Sequence, residues 1–167
     1  MWIFLAAMAA LLAPAERLAM PAVPGFESFT QKAQSGTIDE RVAKGETLDQ
    51  WTRMITLITL YRNLDPKDYA PSFEAGVLRA CPGATARPRT ASRIGSHPAI
   101  DGRVDCPRNP STGLPETFLY RVGNDGTQLH MVQVAFRSVP GPADLAWAQA
   151  RIDSAVLCAP GSHAPGC

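Results

Sequence analysis

Two stretches of the chain carry the strongest hydrophobic patterning, and both read as strands. Met54-Ile55-Thr56-Leu57-Ile58-Thr59-Leu60-Tyr61 is rich in β-branched residues and apolar at odd and even positions alike. A strand buried on one face alternates, whereas one buried on both does not, so this run belongs in the middle of a sheet. Leu129 to Phe136 alternates enough to place His130, Val132, Val134 and Phe136 on one face. It follows Phe118-Leu119-Tyr120-Arg121-Val122 and the turn-forming Gly123-Asn124-Asp125-Gly126, which together predict a long β-hairpin. Ile38 to Ala43, Arg89 to Ile94 and Ile100 to Cys106 predict further strands.

Helical spacing occurs twice. Asp65-Pro66 starts a helix over about 66–80, with Asp65 as its cap and Pro66 at its first position. Tyr69, Phe73 and Val77, with Ala80 behind them, recur on one face, and Cys81-Pro82-Gly83 ends the segment. A second helix over about 142–158 starts at Pro142 and turns Leu145, Ala148, Ile152 and Val156 inward. Thr47 and Gln50 have the spacing of a capping box, which predicts a short helix over Leu48–Arg53.

The remaining segments are irregular. Residues 16–36, broken by Pro21, Pro24 and Gly25, read as an extended arm with a helical turn near Phe26–Ala33. Gly83 to Pro88 and Pro107 to Pro115 read as loops, and residues 159–167 as a Pro/Gly-rich tail. Consecutive strands joined by hairpins, together with two amphipathic helices, predict an α+β fold. Its antiparallel sheet and helices form a single domain over residues 37–158.

The N-terminus changes the setting of this domain. Residues 1–15 carry no charge and close on Ala13-Pro14-Ala15, the small-x-small triplet that precedes a secretory cleavage site. As a helix the run would span about 22 Å, short of the ~30 Å hydrocarbon core, so it reads as a cleaved signal peptide and not as an anchor. No basic residue lies between Met1 and the apolar run, a departure from the usual signal pattern. The expected location is periplasmic or secreted, with no membrane span after cleavage. Sixteen basic residues against fifteen acidic ones leave a net charge of +1, which argues against a nucleic-acid surface.

Outside the cytoplasm, Cys81, Cys106, Cys158 and Cys167 can pair in three ways. Cys81 ends the first helix and Cys106 a strand, which favours Cys81–Cys106. Cys158–Cys167 then pins the tail. No Cys-x-x-Cys pair points to redox or metal chemistry.

The block Gly45-Glu46-Thr47-Leu48-Asp49-Gln50-Trp51-Thr52-Arg53-Met54-Ile55-Thr56 resembles a segment found in small secreted bacterial proteins of unknown function. Their overall plan resembles the PsbP-like fold, an antiparallel sheet packed by helices. Leu129 to Ser138 and the pair Cys81 and Cys106 are also similar to that group. The resemblance implies an exported binding or assembly module and carries over no catalytic residues.

Candidate chemistry is sparse. His97, His130 and His163 are each more than thirty residues from the next, so no metal-binding spacing is present and no cofactor is predicted. Ile94-Gly95-Ser96-His97-Pro98 lacks the second glycine of a nucleophile elbow. The leading expectation is a non-catalytic module binding a protein or envelope component, with Trp51, Arg53, Tyr61, Tyr120 and Arg121 as its candidate surface. The alternative is a small hydrolase using His97 or His130 with a carboxylate. The cysteine reading is directly testable: thiol titration of the denatured, unreduced secreted protein should find no free cysteine, and four reactive thiols would overturn both pairings.

Overall fold

The computed structural model describes residues 15–164 and 166–167, so the signal segment falls outside the described residues apart from Ala15. In chain order the strands are β1 (Arg17–Ala19), β2 (Phe26–Ala33), β3 (Gly36–Ala43) and β4 (Arg53–Leu60). Helix α1 (Pro66–Ala80) follows, then β5 (Thr85–Ala86), β6 (Thr90–Ile94), β7 (His97–Cys106), β8 (Glu116–Asn124) and β9 (Leu129–Phe136). Helix α2 (Pro142–Asp153) and β10 (Val156–Cys158) complete the chain. The fold is α+β: an antiparallel sheet in the order β2-β3-β4-β9-β8-β7-β5, with β6 also on β7, packed by two helices.

The two-sided strand sits in the sheet interior, as its pattern demands. β4 pairs with β3 through Ile55↔Arg41 and with β9 through Ile55↔Val134. One face gathers Ile55, Leu57, Leu119, Val132, Val134 and Phe136 under Ala148 and Ile152 of α2, Leu18 of β1 and Met20 just after it. The opposite face gathers Tyr120, Val122, Leu129 and Met131 under Ala70, Tyr69 and Phe73 of α1. Phe73 meets the Tyr120 ring edge-on at 5.2 Å. Gly102 lies beneath that ring, where an added Cβ would stand 2.3 Å from it. Only a glycine leaves room for Tyr120 there.

Local capping explains α1. Asp65 accepts the Lys67 N–H at 2.8 Å, and Pro66 occupies the first turn. Glu74 faces inward from this helix yet is only 4% exposed. It accepts the Tyr120 hydroxyl at 2.6 Å and pairs with Arg89, so its charge is compensated.

Four local expectations are corrected. Residues 16–36 supply two strands, with Phe26–Ala33 in β2 and not a helical turn; its hairpin to β3 pairs Ala33 with Gly36. Residues 48–53 form no helix. Gln50 N–H does reach Thr47 Oγ1 at 3.1 Å, but Thr47 N–H also bonds back to Gln50 O at 3.0 Å, closing a turn. Glu46 binds Thr52 N–H at 3.1 Å and its hydroxyl at 2.7 Å, returning the chain directly to β4. So short a link cannot repay helix nucleation. Residues 85–86, read as loop, form β5 against β7. Helix α2 stops at Asp153, and Val156–Cys158 is instead the strand that pairs with β1.

Both disulfides form as expected, Cys81–Cys106 and Cys158–Cys167. The first ties the end of α1 to the end of β7 across a sequence separation of 25. Replacing Cys81 and Cys106 together by alanine should lower unfolding stability by about 3 kcal/mol on the loop-entropy account. Urea denaturation checks this, and a loss below 1 kcal/mol would contradict it.

Candidate functional site

The face covered by α2 is not covered along its whole width. Towards β2 and β3 its inward positions turn polar, with Ser28, Thr30 and Lys32 on one strand and Thr37, Asp39 and Arg41 on the next. Beside them β1 crosses the face of β4. Between lies a groove of about 460 Å³. Its floor is Leu57 and Thr59 with the polar side chains of β2 and β3, one wall is Glu16 to Ala19, and Tyr61 and Gln128 stand at the end.

Charges in the groove are fixed in place. Burial pushes the Asp39 carboxyl up, but hydrogen bonds from Ser28, Arg41 and Thr30, with the Arg41 charge, together hold it below the ordinary carboxylate range. Arg41 Nε is 2.9 Å from Asp39, and its Nη1 donates to the Pro21 carbonyl at 3.2 Å, tying β3 to the segment after β1. Lys32 makes no ion pair among the described residues, so its ammonium is available to a ligand. Three threonine hydroxyls, Thr30, Thr37 and Thr59, face the same space.

Behind Thr59 lies a sealed polar cluster. Thr59 Oγ1 is 3.0 Å from His130 Nδ1, and His130 Nε2 is 3.2 Å from Asp125 Oδ2. The carboxylate accepts a hydrogen bond from Nε2–H, which leaves Nδ1 to accept one from the threonine hydroxyl. Asp125 belongs to the β8–β9 turn. Its Oδ1 accepts Thr127 N–H and Gln128 N–H, both at 2.7 Å, while Oδ2 also accepts Glu16 N–H at 3.0 Å. Burial pushes this carboxyl up, but the bonds from Gln128, Thr127 and Glu16 outweigh it and hold it far below the usual range. For His130 burial dominates and lowers the pKa, against the opposing pull of Asp125. His97 Nε2 lies 2.8 Å from Glu16 Oε2 at the edge of the same cluster.

Hydroxyl, imidazole and carboxylate therefore stand in a relay-like order. The side chains of His130 and Asp125 are 0% and 1% exposed, so no substrate reaches the ring. The Thr59 hydroxyl is spent on His130, and among the described residues no serine or cysteine hydrogen-bonds to His130 or His97. Chemically the cluster satisfies buried polar groups and locks the hairpin turn to β4 and to Glu16.

The five residues of the expected surface do not come together. Trp51 is buried at 8% exposure against Val42, Met54 and Ala135, with the Arg137 guanidinium 4.1 Å above its ring. Tyr120 is 1% exposed under α1, on the face away from the groove. Arg121 is buried between Asp101, which it grips through two bonds of 2.7 Å, and Asp153 at 2.9 Å. Arg53 is exposed and pairs with Asp144 at 2.7 Å over the Trp147 ring. Of the five, Tyr61 alone lines the groove. The sequence reading missed Thr30, Lys32, Thr37, Asp39 and Arg41. Their signal was present as polar side chains at every second position on both arms of one hairpin.

Among the described residues, no group of three or more His, Cys, Asp and Glu is arranged to hold a metal ion, and no helix is long and apolar enough to cross a membrane. No protein-family model matches the chain, and no curated protein matches it. Among solved structures it is similar to LpqN, described as involved in cell envelope biogenesis of Mycobacterium tuberculosis. The TM-score is 0.56 at 15% identity, covering 87% of this chain and 86% of that one. This likeness is one of fold.

The lowered pKa of His130 fixes a pH dependence. The native state keeps the imidazole neutral where the unfolded chain, with its pKa near 6.5, takes up a proton. Stability from this group is thus full above about pH 6.5 and is lost as pH falls towards the folded pKa, at up to about 1.4 kcal/mol per pH unit. Urea unfolding between pH 8 and pH 5 should show the decline. His130→Gln should be less stable at pH 8 and vary less with pH; an unchanged slope would refute the assignment.

Proposed function

We propose that this protein is an exported, non-catalytic binding module of the cell envelope and that the groove beside β1 is its binding site. The observation carrying this reading is the uncovered polar stretch of the sheet face along β2 and β3, beside the apolar part packed by α2, β1 and β10. A built core leaves such a recess uncovered only at the expense of apolar burial, which fits a ligand taking the place of a covering element. The chemistry of the lining favours a hydroxyl-rich ligand with an anionic group, such as an envelope glycan fragment carrying a carboxylate or phosphate. The Thr37 hydroxyl would donate to its hydroxyls, with Thr30 and Thr59, whose protons go to Asp39 and His130, left to accept; Lys32 would meet its charge, and Leu57 its less polar face.

Export is supported by the signal-like segment, by the two disulfides and by fold likeness to a protein named for envelope biogenesis. The PsbP-like plan belongs to the same proposal. The enclosure of His130 speaks against its use in the hydrolase alternative, and His97, part-exposed and 2.8 Å from Glu16 Oε2, has no serine or cysteine hydrogen-bonded to it among the described residues.

The test is a titration of the secreted protein with soluble anionic glycan fragments released from cell envelopes, followed by amide NMR shifts. Saturable shifts should centre on Thr30, Lys32, Thr37 and Thr59. Lys32→Ala and Thr37→Val should each weaken binding about 5-fold or more, the equivalent of roughly 1 kcal/mol for a lost hydrogen bond or charge contact. Shifts mapping to another surface, or none, would overturn the site.

A further inference from the structure

We propose that the working protein begins at Glu16 and that its free α-ammonium group is the structural counter-ion of Asp125. The proposal rests on the export reading above and goes beyond it to one bond and one partner. The processing step is hydrolysis of the Ala15–Glu16 peptide by a leader-removing protease. Water supplies the oxygen that completes the Ala15 carboxylate, and the Glu16 nitrogen leaves as an amine that takes up a proton.

Two independent observations meet at that bond. The triplet Ala13-Pro14-Ala15 ends immediately before it. The Glu16 nitrogen, on its other side, lies 3.0 Å from Asp125 Oδ2. That position is not a loose end. Arg17 to Ala19 pair with Cys158 to Val156, and Arg17 Nη2 donates to the Cys167 carbonyl at 2.7 Å. The strand is thus held by contacts that begin at residue 17 and owe nothing to what precedes Glu16.

The charge balance of the cluster calls for a cation. Asp125 is a sealed carboxylate, and the Glu16 side chain adds a second acid beside His97. Among the described residues no lysine or arginine pairs with either, and His130 is kept uncharged by its burial. A buried carboxylate is ordinarily compensated by a full charge. With residue 15 attached, the Glu16 nitrogen offers one neutral N–H. Released, it offers a positive charge and three N–H donors at the same place.

The experiment uses the full chain expressed in a bacterium that exports it. Recovery outside the cytoplasm with no free thiols tests export alone; retention inside with reduced cysteines would fail that reading. N-terminal sequencing of the exported protein should then begin at Glu16, and any other start overturns the inference. A second chain carries Gly-Ser inserted between Ala15 and Glu16, so that cleavage leaves the amine displaced from Asp125. Its Tm should fall by about 3 °C or more, the size expected for losing one ion pair in a chain of this length. In an Asp125→Asn background the same insertion should change nothing. An unchanged Tm in the first case, or an equal fall in the second, would refute the pairing. Should Asp125→Asn fail to fold, NMR titration of the native α-amine decides: it should titrate above the ordinary 7.7–8.0, and a value within or below that range refutes the pair.

Discussion

The constraint that organises this molecule is the two-sided burial of β4 and its neighbour β9. A strand apolar on both faces requires a cover on each, and a chain of this size has two helices to give. Helix α1 closes one face over Tyr120, Val122 and Met131, and α2 closes the other over Val132, Val134 and Phe136. On its own face α2 meets β2 at the start of that strand, where Trp147 stacks on Phe26 at 5.7 Å, and the groove opens further along β2 and β3. The groove is where the covering runs out, and the alternating polar residues of β2 and β3 make that tolerable. Groove and core are thus two outcomes of one patterning rule.

Within this frame, buried ionic groups act as fixings between elements. Arg121 of β8 joins Asp101 of β7 to Asp153 at the end of α2. Glu74 of α1 joins Tyr120 of β8 to Arg89, just before β6. Asp125 joins the β8–β9 turn to His130 and to Glu16. Each spans elements distant in sequence, and each keeps its lone pairs occupied, without which burial would cost far more than the contact returns. Their role in placing α1, α2 and β1 over the sheet is more secure than any net contribution to stability.

What was legible in the sequence was whatever depends on local pattern. The apolar run of β4, the hairpin at Gly123 to Gly126 and the Asp65-Pro66 start of α1 follow from spacing and capping alone, and the ends of the expected elements favour the cysteine pairing that forms. What was not legible depends on partners far along the chain. β10 looks like the end of a helix until Arg17 to Ala19 arrive to pair with it, and β2 is exposed along almost its whole length, so no apolar periodicity marks it. Of the capping-box spacing at Thr47 and Gln50, the Gln50 N–H bond to Thr47 Oγ1 forms, but the return bond from Thr47 N–H goes to the Gln50 carbonyl, and Glu46 bonding to Thr52 turns the segment into a link to β4. The site failed for a related reason. Aromatic residues were taken as binding signals, yet Trp51 and Tyr120 are core residues whose polar atoms or faces are met internally, by Arg137 and Glu74.

The groove also owes its shape to the two ends of the chain. Its wall is β1, three residues long, too short to hold itself against the sheet by pairing alone. β1 stays because β10 pairs with it, because Cys158–Cys167 carries the last residue back to where Arg17 can reach its carbonyl, and because Leu18 is buried against the core. The residue before it bonds to Asp125, which also orients His130 and, through it, Thr59 on the groove floor. Three hydrogen bonds therefore connect Glu16 to the floor of the groove. The wall and the Thr59 hydroxyl thus share one carboxylate, Asp125, which links the start of β1 to the floor of the groove.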